Sequence, residues 1–172
     1  MTQTTMTSRI LEPGTPSPDF ELPTGPEGKL SLKQLRGKPF VLVFYPADFS
    51  PVCGDQLTLL NECREEFDEL GATVVGVSVD GPWCHQAYAA SRKLKFPLLS
   101  DFEPKGAVAK AFGAYQSDGG LAQRALFVVD AEGVIRWSYL SPIDQNPGVH
   151  GIIAALEEMK QEPANRMAKE SG

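Results

Sequence analysis

The stretch PFVLVFY, residues 39–45, is apolar at nearly every position. An amphipathic strand alternates; an unbroken apolar run of this length is a strand covered on both faces, which places helices above and below a sheet. The next segment is equally informative. Ser50 and Pro51 form a helix-start pair, a favoured N-cap residue and then proline at the first helical position. Leu57, Leu60, Cys63, Phe67 and Leu70 then recur at helical spacing up to Gly71, predicting one helix of about five turns.

The same alternation continues along the chain. ATVVGVSVD (72–80) reads as a second buried strand and HQAYAASRKL (85–94) as a second helix. FPLLSD leads to Asp101, a candidate cap for a helix over 103–112, and RALFVVDAEGVIRWSY (124–139) reads as two strands joined by a turn at Asp130 to Gly133. A helix over 148–161 closes the series. Before the first buried strand, PDFELP is a short strand and LSLKQLRGK (30–38) a short helix. This order predicts an α/β fold with a mixed central sheet and helices on both faces. The domain covers 18–161, between a Thr-, Ser- and Pro-rich flexible arm at 1–17, in which Met6 is an alternative start, and a polar tail at 162–172.

Charge narrows the function. The 172 residues carry 16 Lys and Arg against 22 Asp and Glu, with no basic cluster to follow a phosphate backbone, so nucleic acid is not expected as a partner. The apolar runs are strand-sized and the first ten residues lack a signal-peptide core, so no membrane association is expected and the expected location is the cytoplasm. His85 and His150 stand 65 residues apart without metal-ligand spacing and are expected to be surface or capping residues. No glycine-rich phosphate loop is present, and no metal or organic cofactor is expected.

Three cysteines remain, too few and too scattered for a disulfide framework. With Ser50 as N-cap, Cys53 is the third helical residue, where unpaired backbone N–H groups and the helix dipole favour a thiolate. Free cysteine is also a common small core residue, and local sequence leaves both readings open. Cys63, with Leu60 and Phe67 on its face, reads as core filler, and lies about 15 Å along the same helix from Cys53. Cys84 falls in a strand-to-helix loop beside Trp83.

PADFSPVC fits Pro-x-x-x-Thr/Ser-x-x-Cys, and with LRGK, VVGVSVD, FPLLSD and RALFVVDAEGVIRW it resembles the peroxiredoxins, the thiol peroxidases of the alkyl hydroperoxide reductase and thiol-specific antioxidant superfamily. FPLLSDFEPKGAVAKAFG and GLAQRALFVVDAEGVIR look most like the alkyl hydroperoxide reductase E type, with the bacterioferritin-comigratory type next. The resemblance implies a thioredoxin-like fold, Cys53 as peroxidatic cysteine, Ser50 as the hydroxyl serving thiolate and peroxide, Pro46 as a shield against water, Arg124 as the active-site arginine and Gln56 as its orienting partner. Serine in place of threonine, and Gly54 after the cysteine, depart from the usual pattern.

The implied substrates are hydrogen peroxide and organic hydroperoxides, and the implied assembly is a homodimer. Cys84 is then a candidate resolving cysteine, forming a disulfide with Cys53 that thioredoxin or a similar thiol donor reduces. Its position does not match the usual one, and the E type commonly has no resolving cysteine, so a one-cysteine enzyme with an external thiol is the alternative. A peroxide-sensing switch or chaperone would use the same reactive thiol. A Cys-x-x-Cys disulfide reductase is disfavoured by the sequence Cys53-Gly-Asp-Gln56.

Overall fold

A computed structural model describes residues 9–170. A start at Met1 or Met6 lies outside the described residues. The centre is a five-stranded sheet of β3 (Phe40–Phe44), β4 (Thr73–Ser78), β5 (Leu98–Ser100), β8 (Ala125–Val129) and β9 (Ile135–Leu140), in the order β5-β4-β3-β8-β9. β3 pairs in parallel with β4 and antiparallel with β8, so the expected central strand has a neighbour on each side and the sheet is mixed. All five of its residues are buried. Its side chains alternate between two cores, Phe40, Leu42 and Phe44 facing one and Val41 and Val43 the other.

The second core lies under α2 (Pro51–Glu62), α3 (Arg64–Glu69), α4 (Pro82–Arg92) and α6 (His150–Glu170), which contribute Leu57, Leu60, Phe67, Tyr88, Ile152 and Leu156. The first is covered by α1 (Leu32–Leu35), α5 (Ala107–Ala111) and the hairpin of β1 (Glu21–Pro23) and β2 (Lys29–Ser31). Helices thus cover both faces, as expected from the apolar run. In the first core the rings of Phe44, Phe112 and Phe127 meet at centroid distances of 5.0 to 5.7 Å.

Several boundaries differ from expectation. The five-turn helix is two helices: at Cys63 the backbone (φ −85°, ψ 9°) ends α2 and begins α3, while Leu60 and Phe67 both stay in the core. Periodicity therefore ran through a break it could not register. α5 is shorter than 103–112 because Pro104 disfavours helical geometry at Glu103 and the chain turns again at Gly106 (φ +69°). Asp101 does cap it, its two carboxylate oxygens accepting the N–H groups of Val108 and Ala109. α6 runs on to Glu170, beyond the expected end at 161.

Residues 9–17 are not part of a free arm. Leu11 N–H donates to the Phe112 carbonyl, Gly14 N–H to Ile135 and Ser17 N–H to Gly133, while Ile10 and Leu11 pack on the first core. Two apolar residues inside a Thr/Ser/Pro-rich stretch supply that docking. Gly113 (φ +74°) is required beneath it, since a Cβ there would stand 2.2 Å from the Arg9 carbonyl oxygen. Residues 115–122 add a small hairpin of β6 (Tyr115–Gln116) and β7 (Leu121–Ala122). No helix among the described residues is long and apolar enough to cross a membrane.

Candidate active site

Sheet register assembles the site. Phe44 at the end of β3 pairs with Ala125 at the start of β8, and Ala125 with Leu140 near the end of β9. Arg124, the loop after Tyr45 and the loop after Leu140 therefore meet at one end of the sheet, and the Arg124–Cys53 contact spans 71 residues of sequence.

Cys53 is completely buried in the first turn of α2. Both terminal nitrogens of Arg124 stand 3.5 Å from its sulfur. Nη1 also donates to Gln56 Oε1 at 2.7 Å, while Nε and Nη2 donate to the Ile143 carbonyl at 3.1 and 2.9 Å. Arg124 is only 2% exposed, and among the described residues no carboxylate pairs with it. Burying such a cation costs several kcal/mol unless an anion answers it. Among the described residues, the one acidic group it touches is the Cys53 thiol. Arg124 takes the Gln56 oxygen, and the buried amide nitrogen of Gln56 has no partner among the described residues.

Ser50 occupies the N-cap position, but its side chain does not cap α2. Its hydroxyl donates instead to the Ala47 carbonyl at 3.0 Å, and Pro51 at the first helical position leaves one fewer N–H to satisfy. Pro46 is buried where the loop leaves β3. Phe49 adopts φ +65°, unusual for a bulky residue, and its ring rests 4.9 Å from that of Tyr88 on α4. The glycine after the cysteine has a local reason: a Cβ on Gly54 would meet the Arg92 guanidinium of α4 at 2.5 Å.

Cys84 and His85 correct the sequence reading. Cys84 lies in the first turn of α4, not in a loop, since the helix already starts at Pro82. His85 is 1% exposed rather than on the surface, because a polar network surrounds it. Its Nδ1 stands 2.6 Å from Asp48 Oδ2 and its Nε2 lies 3.0 Å from the Leu99 carbonyl. Tyr45 donates to Asp48 Oδ1 at 2.7 Å, and Asp48 N–H donates to Asp80 Oδ2 at 2.9 Å. His150, by contrast, is exposed. The sulfur of Cys84 and carboxylate oxygens of Asp48 and Asp80 lie within 4.8 Å of one another. Both Asp48 oxygens are thus occupied by Tyr45 and His85.

Burial first, and then the negative charges of Asp48 and Asp80, push the Cys84 thiol up to about 11. Cys63 is half-buried against the second core, and burial and the neighbouring Glu66 and Glu62 raise it too. Asp48, His85, Tyr45 and Tyr88 escaped sequence reasoning. A usable signal was there: Tyr45-x-x-Asp48 and Cys84-His85 both come after a parallel strand at its carboxyl end, where α/β sheets gather functional side chains.

Residues 13–138 match the AhpC/TSA family. Alkyl hydroperoxide reductase E of Mycobacterium tuberculosis is 37% identical over 130 residues, spanning 75% of this chain and 85% of that protein. Among solved structures, Enterococcus faecalis AhpC superposes with a TM-score of 0.79 at 31% identity, covering 86% of this chain and 92% of the other. The peroxidoxin BcpB of Mycobacterium tuberculosis gives 0.78 at 30%, covering 86% and 97%. The match across most of the domain, on a mixed sheet that carries a cysteine at the first helix turn, makes this chain a member of the AhpC/TSA family, a peroxiredoxin.

Proposed function

We propose that Cys53 is the peroxidatic cysteine of a thiol-dependent peroxidase acting on hydrogen peroxide and organic hydroperoxides. The observation that carries this reading is the buried Arg124 guanidinium, whose only acidic contact among the described residues is the Cys53 thiol. Ionisation of that thiol gives the cation its counter-charge, and the unpaired N–H groups of the first turn of α2 add to the stabilisation. The thiolate attacks one peroxide oxygen in line with the O–O bond. That bond breaks, Cys53 becomes a sulfenic acid, and the second oxygen leaves as water or an alcohol after taking a proton. Arg124 serves the charge that moves onto the leaving oxygen, Gln56 holds Arg124 in place, and Ser50 serves the thiolate once its hydroxyl turns from Ala47. Pro46 keeps water from the pocket.

Cys84 then resolves the sulfenic acid as an intramolecular disulfide after local unwinding around Cys53, and thioredoxin or a similar donor reduces the bridge. The protein works in the cytoplasm as a homodimer joined through its active-site loops. A second reading has its own observation: a Cys84 thiol raised to about 11 is a poor spontaneous nucleophile, which favours a one-cysteine enzyme with an external thiol.

The Cys84→Ser variant separates the two. In the two-cysteine mechanism it reduces one equivalent of peroxide and then fails to turn over with thioredoxin and its reductase. Undiminished turnover with that system would establish the one-cysteine mechanism.

A further inference from the structure

The two-cysteine reading, on which this inference rests, leaves a chemical problem at Cys84. A thiol kept neutral by burial and two carboxylates attacks at neutral pH only if a base removes its proton as the new bond forms. A base of the right kind stands beside it. The Cys84 sulfur lies within 4.8 Å of carboxylate oxygens of both Asp48 and Asp80.

Asp48 is the more firmly built of the two. Its side chain is fully buried, fixed at one oxygen by the Tyr45 hydroxyl and at the other by His85. The orientation of His85 is set by the Leu99 carbonyl, which only accepts, so Nε2 carries a hydrogen. His85 Nδ1 then faces Asp48 Oδ2 across 2.6 Å. Asp80 is tied to the same frame, accepting from the Ser78 hydroxyl at 2.5 Å and from Asp48 N–H.

We propose that the Asp48–His85 pair is the acid–base group of the resolving step, with Asp48 taking the Cys84 proton as the thiol attacks the Cys53 sulfenic acid. The S–S bond forms and the S–O bond of Cys53 breaks. Cys84 sulfur is oxidised, Cys53 sulfur is reduced, and the hydroxide leaves with the bonding pair and receives a proton from the Asp48–His85 pair as water. The pair returns to its starting state, and no external oxidant or reductant enters. Asp48 is a catalytic residue in this step and His85 a positioning residue.

The test is single-turnover kinetics on the full chain, with Cys53 oxidation by hydrogen peroxide and Cys53–Cys84 disulfide formation monitored as separate phases between pH 6 and 8. The titratable groups facing the thiol are Asp48 and Asp80, while Tyr45 and His85 meet Asp48 and Tyr88 lies near Cys53 and Asp48. In the wild type, disulfide formation changes less with pH than in Asp48→Asn, because Asp48 takes the proton in place of hydroxide. Asp48→Asn slows it by about tenfold or more relative to Cys53 oxidation, and the residual rate climbs about tenfold per pH unit as hydroxide takes over. His85→Gln gives a smaller drop in the same ratio. Resolution in Asp48→Asn at the wild-type rate, or an equal fall in both phases, overturns the proposal. A wild type that forms no Cys53–Cys84 disulfide instead refutes the two-cysteine reading, and the inference falls with it.

Discussion

Two helices in this fold begin alike, Ser50-Pro51-Val52-Cys53 on α2 and Gly81-Pro82-Trp83-Cys84 on α4, each with a cysteine as its third residue. Both come after a parallel strand and both offer a thiol the same unpaired backbone N–H groups. They differ in what the sheet brings beside them. Cys53 has a buried guanidinium 3.5 Å away; Cys84 has two carboxylates and is pushed up to about 11. A helix N-terminus is worth no more than about 2 kcal/mol to an anion, so what separates the two cysteines is the charge beside each.

The sharpest way to break the contrast is to remove the cation. Arg124→Ala should lower the second-order rate of Cys53 with hydrogen peroxide by about a hundredfold or more, the scale of losing a preorganised donor to a developing oxyanion. Stopped-flow fluorescence measures it, and a rate within a fewfold of wild type would show that Arg124 only packs. Ser50→Ala comes next, with a loss of about tenfold. If it proves silent, the Ala47 bond is the hydroxyl's whole role.

At the other helix the manipulation runs in reverse. Asp80→Asn removes one of the negative charges that raise Cys84, so alkylation of Cys84 at pH 9 should quicken severalfold in a mass-resolved assay. An unchanged rate would leave burial and Asp48 as the causes.

A smaller effect concerns stability. The folded-state value of Cys84 lies above the ordinary 9.0, so the native state holds this proton more tightly than the unfolded chain does. Its contribution is complete below about pH 9 and is lost as pH rises through about 11. Cys84→Ala should flatten the decline in urea midpoint across that window, though raised Tyr45 and Tyr88 add a decline of the same sign from about pH 10 upward. The smallest effect belongs to Cys63, half-buried at the helix break: Cys63→Ser should leave turnover within about twofold, as expected of a residue outside the site.

The features legible in the sequence were local. An unbroken apolar run announces a covered strand, and Ser-Pro before a helical period marks a helix start; the structure has both, with β3 at the centre and α2 beginning at Pro51. The turn after Asp130 was equally plain and joins β8 to β9. Arg124 could be set beside Cys53 only through family resemblance, because their meeting depends on the β3–β8 register across 71 residues. His85 was misread for the same reason. A lone histidine is exposed until partners from two distant segments, Asp48 and the Leu99 carbonyl, offset the cost of its burial.

One measurement bears most directly on the claim that environment, not helix position, selects the reactive thiol. Reduced protein is given less than one equivalent of hydrogen peroxide at neutral pH, quenched within the first turnover in the presence of a sulfenic-acid trap, and mapped by mass spectrometry, in the wild type and in Cys84→Ser. The account predicts that the trapped oxygen in Cys84→Ser is on Cys53 alone and that the wild type carries Cys53 either trapped or joined to Cys84. First oxidation at Cys84 or Cys63, with Cys53 still reduced, would contradict it.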